Sequence, residues 1–261
     1  PDVRVNYSKG CHLYEHKLED PGYSGDCLAE VKALTDLADV VILVVGMDET
    51  IEGEEITGRE GFTGDKKDLL LPQSQRDLIK TVCARKTPVV LVNMTGSAID
   101  FEEGCQADAI IQAWYPGAMG GRAVSDLLFG EYSPSGRLPV TFYKNTNELP
   151  DFEDYSMENR TYKFFRGEPL YPFGYGLGYT SFAFTEMKAD RLKFGPGEAV
   201  TVSLRVKNTG AMEGDEVVQI YVRDEEASVR VPVHKLCGMK RITLKPGEEQ
   251  EISVTVEGSC F

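Results

Sequence analysis

The chain has 261 residues, 41% hydrophobic and 27% charged, with a formal net charge of -14. It is long enough for one large domain or two moderate ones around sizeable cores. The charge excludes a nucleic-acid partner, which needs clustered Lys and Arg, and disfavours an anionic membrane surface, but it does not penalise a neutral ligand.

In chain order, Val3-Arg4-Val5-Asn6-Tyr7 alternates as a strand does. Cys27 to Ala38 places Leu28, Val31, Leu34 and Leu37 on one helical face. Val40 to Val45 is a continuous apolar run of the kind buried on both faces of a sheet. After a polar loop, Gln73 to Arg85 predicts a helix with Leu78, Ile79 and Val82 inward. Pro88 to Asn93 and Ala109 to Trp114 read as further buried strands. A glycine-rich turn, a short helix through Leu128 and a strand from Leu138 to Phe142 follow. Repeated strand–helix–strand units predict an α/β fold over residues 1–143, a mostly parallel sheet sandwiched by helices. In such sheets ligands bind beyond the carboxyl ends of the strands.

Residues 144–180 form a Pro-, Tyr- and Gly-rich connector. From 181 to 261 the pattern changes to alternating runs at Ala199 to Val206, Glu216 to Val222 and Gln250 to Val256. Turn signals such as Asn208-Thr209-Gly210 and Lys245-Pro246-Gly247 separate them. This predicts an all-β sandwich of immunoglobulin or fibronectin type, with five or six strands where about seven complete such a domain. The chain opens at Pro1-Asp2 without Met or a signal-peptide pattern and ends just past a strand-like run, so the reading expects part of something longer.

The six cysteines are scattered without a CxxC pair, and several sit in apolar runs as reduced core cysteines do. They point to a cytoplasmic setting, with secretion left open. Cys11, His12 and His16 could be drawn as a metal site, but no second ligand pair follows, so no metal is expected. No apolar stretch approaches the roughly 20 residues of a membrane helix.

Two segments could carry chemistry. Gly46 to Gly58 holds Asp48, Glu49, Glu52, Glu54 and Glu55 directly after a buried strand, where a crevice is expected. Carboxylates so placed can serve as general acid or base, although acidic loops are more often simply solvated, and the spacing is not that of a calcium loop. Trp114-Tyr115-Pro116-Gly117-Ala118-Met119-Gly120-Gly121 joins a strand to a helix start. It lacks the GxGxxG and Gly-Lys-Ser/Thr patterns, so a tight turn with close helix packing is favoured over a nucleotide cradle.

Trp114 to Gly121, then Leu128-Phe129-Gly130, Pro134-Ser135-Gly136-Arg137-Leu138-Pro139-Val140-Thr141-Phe142 and Leu170 to Thr180 closely resemble the signature of the C-terminal domain of glycoside hydrolase family 3. Leu71-Pro72-Gln73-Ser74-Gln75 and Val92-Asn93 followed by Gly96 agree. The resemblance implies the C-terminal region of a retaining, exo-acting β-glycosidase. A β-glucosidase is expected first and a β-xylosidase next, acting on terminal β-linked sugars without a cofactor. It implies an N-terminal barrel supplying an aspartate nucleophile, this α/β domain supplying the acid/base glutamate, and a fibronectin type III-like domain after it. Aligning the family's Gly-Glu pair puts the acid/base at Glu54, with Glu52 and then Glu55 as alternatives. Relatives often continue with Asp-Arg soon after the glutamate, whereas residues 56–64 intervene here before Asp65-Lys66-Lys67. A homo-oligomer stays open. The alternative is a non-catalytic module that binds carbohydrate or a partner.

Overall fold

The computed structural model describes residues 3–13, 27–49, 51–53, 66, 68–101 and 106–261. The chain divides into two units, residues 1–121 with 144–146, and residues 122–143 with 147–261.

The first unit holds α1 (Cys27–Leu37), β1 (Val41–Gly46), α2 (Gln73–Cys83), β2 (Val89–Met94) and β3 (Ala109–Gln112). The strands form a parallel sheet in the order β1-β2-β3, with Val41 opposite Val89 and Val90 opposite Ala109. Pro72 starts α2 with its backbone preset at φ -51° and with no N–H to leave unpaired. Leu78, Ile79 and Val82 are buried, as the helical period predicts. On α1 the buried pair is Val31 and Thr35, while Leu37 is 79% exposed. The Thr35 carbonyl accepts the Thr87 hydroxyl at 2.7 Å, which tethers the end of α1 to the approach of β2.

Two strand expectations need correction here. Val3 to Tyr7 has no ladder partner among the described residues, and its alternating side chains lie exposed. Alternation makes a strand only where a neighbour supplies hydrogen bonds. β2 is buried on both faces as expected, but β1 alternates. Leu43 and Val45 are buried, whereas Ile42 and Val44 are 42% and 56% exposed.

The second unit holds most of α3 (Gly120–Leu128), a short α4 (Thr161–Phe164) and five strands. These are β4 (Phe182–Ala189), β5 (Gly197–Asn208), β6 (Gly214–Val222), β7 (Lys235–Leu244) and β8 (Glu249–Gly258). They form two antiparallel sheets, β4-β5-β8 and β6-β7. Leu204, Val206, Val218, Ile242, Leu244 and Ile252 make the core, with Phe182, Val202 and Ile220 against it. The Asn-Thr-Gly turn signal has a structural basis in Asn208, which is fully buried. Its amide donates to the carbonyls of Met212 and Leu244 at 2.8 and 2.9 Å, and its oxygen accepts from Thr180 Oγ1 and Gly210 N. Every capacity of this buried amide is used, as burial requires.

Leu138 to Phe142 is not a regular strand. Pro139 lacks a ladder N–H, and the segment pairs with Leu170 to Tyr175 through separate links. Leu138 N donates to Tyr175 O at 2.8 Å, Gly174 N to Leu138 O at 2.7 Å, and Phe142 N to Tyr171 O at 2.9 Å. The segment before it is fastened to β6 by Arg137, whose Nη2 donates to both Glu216 oxygens at 2.9 and 2.8 Å. Both side chains are mostly buried. Removing one partner of such a pair strands the other charge. Arg137→Ala is therefore expected to cost the second unit about 3 kcal/mol, read as a lower urea midpoint. A loss below a few tenths of a kcal/mol would show the pair to be incidental.

Candidate active site

The carboxyl end of β1 is fixed by two contacts. A Cβ at Gly46 would lie 2.1 Å from the Met94 carbonyl oxygen, so only glycine lets the ends of β1 and β2 come this close. The buried Gln75 side chain on α2 then clasps that glycine. It accepts from Gly46 N at 2.8 Å and donates to Gly46 O and Leu13 O, each at 2.6 Å. Met47 N continues across to Met94 O at 3.0 Å. Beyond it the chain makes a helical turn, with Ile51 N and Glu52 N both donating to Asp48 O at 3.0 and 2.9 Å.

That turn delivers Glu52 to the loops that follow β2 and β3. Its Oε2 accepts from Gly96 N at 2.8 Å and from the Tyr115 hydroxyl; its Oε1 accepts from the Ser97 hydroxyl. The Lys66 ammonium lies 3.4 Å from Oε1. Gly96 is required at its position, because a Cβ there would fall 2.6 Å from the Tyr115 ring and 3.3 Å from Glu52 Oε2. Trp114, just before Tyr115, holds φ +55°, a left-handed conformation that costs a bulky residue about 1 kcal/mol or more. A second network lies beneath. Asn93 Nδ2 donates to Thr95 Oγ1 at 2.8 Å and Gln112 Oε1 at 2.6 Å, and Thr95 Oγ1 donates to Ser97 O at 2.9 Å.

The electrostatics follow from these contacts. Burial pushes the Glu52 carboxyl upward, but the hydrogen bonds from Ser97, Tyr115 and Gly96 N, with the Lys66 charge, outweigh it and hold the group below its ordinary value. Tyr115 moves the other way, to about 12, through burial and then its bond to Glu52. Burial also lowers Lys66, against the opposing pull of Glu52. Glu52 is thus an ionised carboxylate whose oxygens are already taken. Chemically it is an anchor that joins the loops after all three strands.

Among the sequence-selected residues, Glu52 is at the centre of this arrangement, Asp48 caps its turn through the backbone, and Glu49 is exposed. Glu54 and Glu55 lie outside the described residues, as does His16 of the drawn metal site. In the glycine-rich turn, Gly120 has a packing reason, since a Cβ would meet the Pro116 ring at 2.4 Å. Sequence reasoning missed Ser97, and quoted Lys66 only in the run Asp65-Lys66-Lys67. It quoted Tyr115 and Gly96 only as parts of longer runs, although their position after β3 and β2 was the available signal.

A group whose folded pKa is depressed adds stability above its unfolded pKa and loses it as pH falls through the folded value. As pH drops below about 4.3, the ordinary glutamate value, the contribution of Glu52 to the first unit therefore begins to decline, and it is gone only below the group's lowered folded value. Wild type is expected to melt above Glu52→Gln at neutral pH, with the gap closing on acidification. A gap that stayed constant with pH would show that the charge is not what Glu52 contributes.

Comparison with known proteins agrees with the fold of both units. The glycosyl hydrolase family 3 C-terminal domain matches residues 15–179, and a fibronectin type III-like domain matches residues 216–259. A xylan 1,4-beta-xylosidase of Xylanibacter ruminicola is 42% identical over 228 residues, covering 85% of this chain and 25% of the relative. A periplasmic beta-glucosidase of Salmonella typhimurium is 36% identical over 281 residues, covering 98% of this chain and 36% of the relative. A solved β-glucosidase from Erythrobacter marinus superposes with a TM-score of 0.82 at 31% identity, over 98% of this chain and 36% of that one. The chain spans about a quarter to a third of the length of these relatives. An α/β unit with a parallel sheet, a following β-sandwich and these matches place the chain in glycosyl hydrolase family 3, as its C-terminal domain with a fibronectin type III-like domain after it.

Proposed function

We propose that this chain is the C-terminal part of a retaining, exo-acting β-glycosidase in which Glu54 is the acid/base and an N-terminal barrel supplies the aspartate nucleophile. Terminal β-linked glucose is the first substrate reading. Xylose is the second, favoured by the identity to the Xylanibacter ruminicola xylosidase. The observation that carries the proposal is the Glu52 anchor, which fixes the chain two residues before Glu54 at the carboxyl ends of the parallel strands.

Retaining hydrolysis needs two carboxyl groups about 5 to 5.5 Å apart across the scissile bond. One attacks the anomeric carbon. The other must hold a proton to give to the leaving oxygen, then take one from water. A carboxylate stabilised in its ionised form, as Glu52 is, is poorly suited to donate. Its negative charge close in sequence to Glu54 instead favours a protonated neighbour. Glu52 thus serves as the positioning group and Glu54 as the proton carrier, with Glu55 the remaining alternative.

Two measurements test this. Mixing the chain with separately prepared barrel domain is expected to give aryl β-glucoside hydrolysis that neither part shows alone. Turnover by the chain alone would place the nucleophile among its own carboxylates. In the two-domain enzyme, Glu54→Gln is expected to lose about 10²–10⁴-fold on poor leaving groups. Activity on an activated aryl glycoside should return with azide, as a β-glycosyl azide. Normal turnover of poor leaving groups by that variant would remove Glu54 from the role.

A further inference from the structure

The β6–β7 ladder contains an irregularity with a chemical consequence. Ile220 pairs with Gly238 and Tyr221 with Leu236, so Cys237 has no cross-strand partner. An extra residue of this kind forms a β-bulge, which bends the strand and re-aims a side chain. Cys260 is held close by. The turn after β8 closes with Cys260 N donating to Glu257 O at 2.9 Å, and Lys235 Nζ reaches Ser259 O at 3.2 Å. The Phe261 ring packs on Phe194 with centroids 4.5 Å apart. Cys260 Sγ sits 4.0 Å from the Cys237 carbonyl oxygen, which brings the two thiols close enough to influence each other. Both are free and partly exposed, so a small reagent can reach them.

We propose that Cys237 and Cys260 are a redox-modification site, forming a reversible disulfide that ties the β6–β7 sheet to the end of β8 in the other sheet. The co-reactant is a small-molecule or protein disulfide. One cysteine thiolate attacks a donor sulfur, the donor S–S bond breaks, and a thiolate leaves. The second cysteine then attacks the mixed disulfide and releases the other donor thiolate. Overall the two cysteines lose two electrons and two protons, which the donor gains as two thiols. Burial, and then the neighbouring Cys260 thiol, raise the Cys237 thiol to about 11. The exchange therefore accelerates toward alkaline pH.

Crossing the sandwich makes the link stabilising, because it closes a long loop in the unfolded chain. The test uses the purified chain incubated with oxidised glutathione at mildly alkaline pH, then alkylated and mapped without reduction. The expected product is a cross-linked peptide pair containing Cys237 and Cys260, lighter by two hydrogens. Sandwich melting should rise by roughly 5 °C or more, reversed by dithiothreitol. Cys260→Ser, at the rim of the sandwich, should keep the fold by circular dichroism while losing both the link and the gain. Cys11 and Cys27, close enough to influence each other, are the internal competitors. Alkylation of both Cys237 and Cys260 after oxidation, mixed glutathione adducts that never resolve, or a link confined to other cysteines would each overturn the proposal.

Discussion

A carboxylate drawn out of water must recover its hydrogen bonds from the protein, and Glu52 recovers them from the loops after β2 and β3 and from Lys66 in its own. Gly96 N, the Ser97 and Tyr115 hydroxyls and the Lys66 ammonium converge on its two oxygens. Paired this way the buried charge is tolerable; with one donor missing it would be costly. The surrounding sequence serves this convergence. Gly46 and Gly96 remove side chains where backbone or ring must pass, and Gln75 clasps the end of β1. Trp114 accepts a strained backbone next to the tyrosine. The acidic loop is held at its start by Glu52.

The second unit solves a different problem, fastening irregular chain to a sandwich. The two signature runs around Leu138 to Phe142 and Leu170 to Tyr175 satisfy each other's backbone groups. Arg137 and Gln219 then bind that pair to β6, through Glu216 and through the Gly174 carbonyl at 3.2 Å. Tyr162 stacks on Phe173 with centroids 4.1 Å apart, lies edge-on to Tyr221, and accepts from Leu236 N at 3.2 Å. Phe164 lies under the Arg230 guanidinium and Phe165 meets Tyr143. These aromatics act as cement within the unit, which fits the commoner use of such clusters.

Periodicity exposed the regular elements well, because α2 and β2 bury the residues their patterns mark, and the sandwich core follows its alternation. It failed where partners decide. Val3 to Tyr7 alternates but has no neighbouring strand among the described residues, and Leu138 to Phe142 is interrupted by a proline. The acidic loop was visible as a candidate from charge density and position. The anchored state of Glu52 within it was not, because the state of that carboxylate depends on donors from residues 96, 97 and 115, far away in the chain. The Cys237 bulge was equally hidden, since a register shift belongs to a pair of strands.

The central claim is that Glu52 anchors the loop and a neighbouring glutamate carries the proton. The most direct measurement is the dependence of kcat/KM on leaving-group pKa for Glu52→Gln in the two-domain enzyme. An anchor that seats Glu54 gives a leaving-group dependence and an azide rescue that are both smaller than those of Glu54→Gln. A dependence and rescue as large as a full acid/base loss, with Glu54→Gln behaving as wild type, would make Glu52 itself the acid/base and contradict the account.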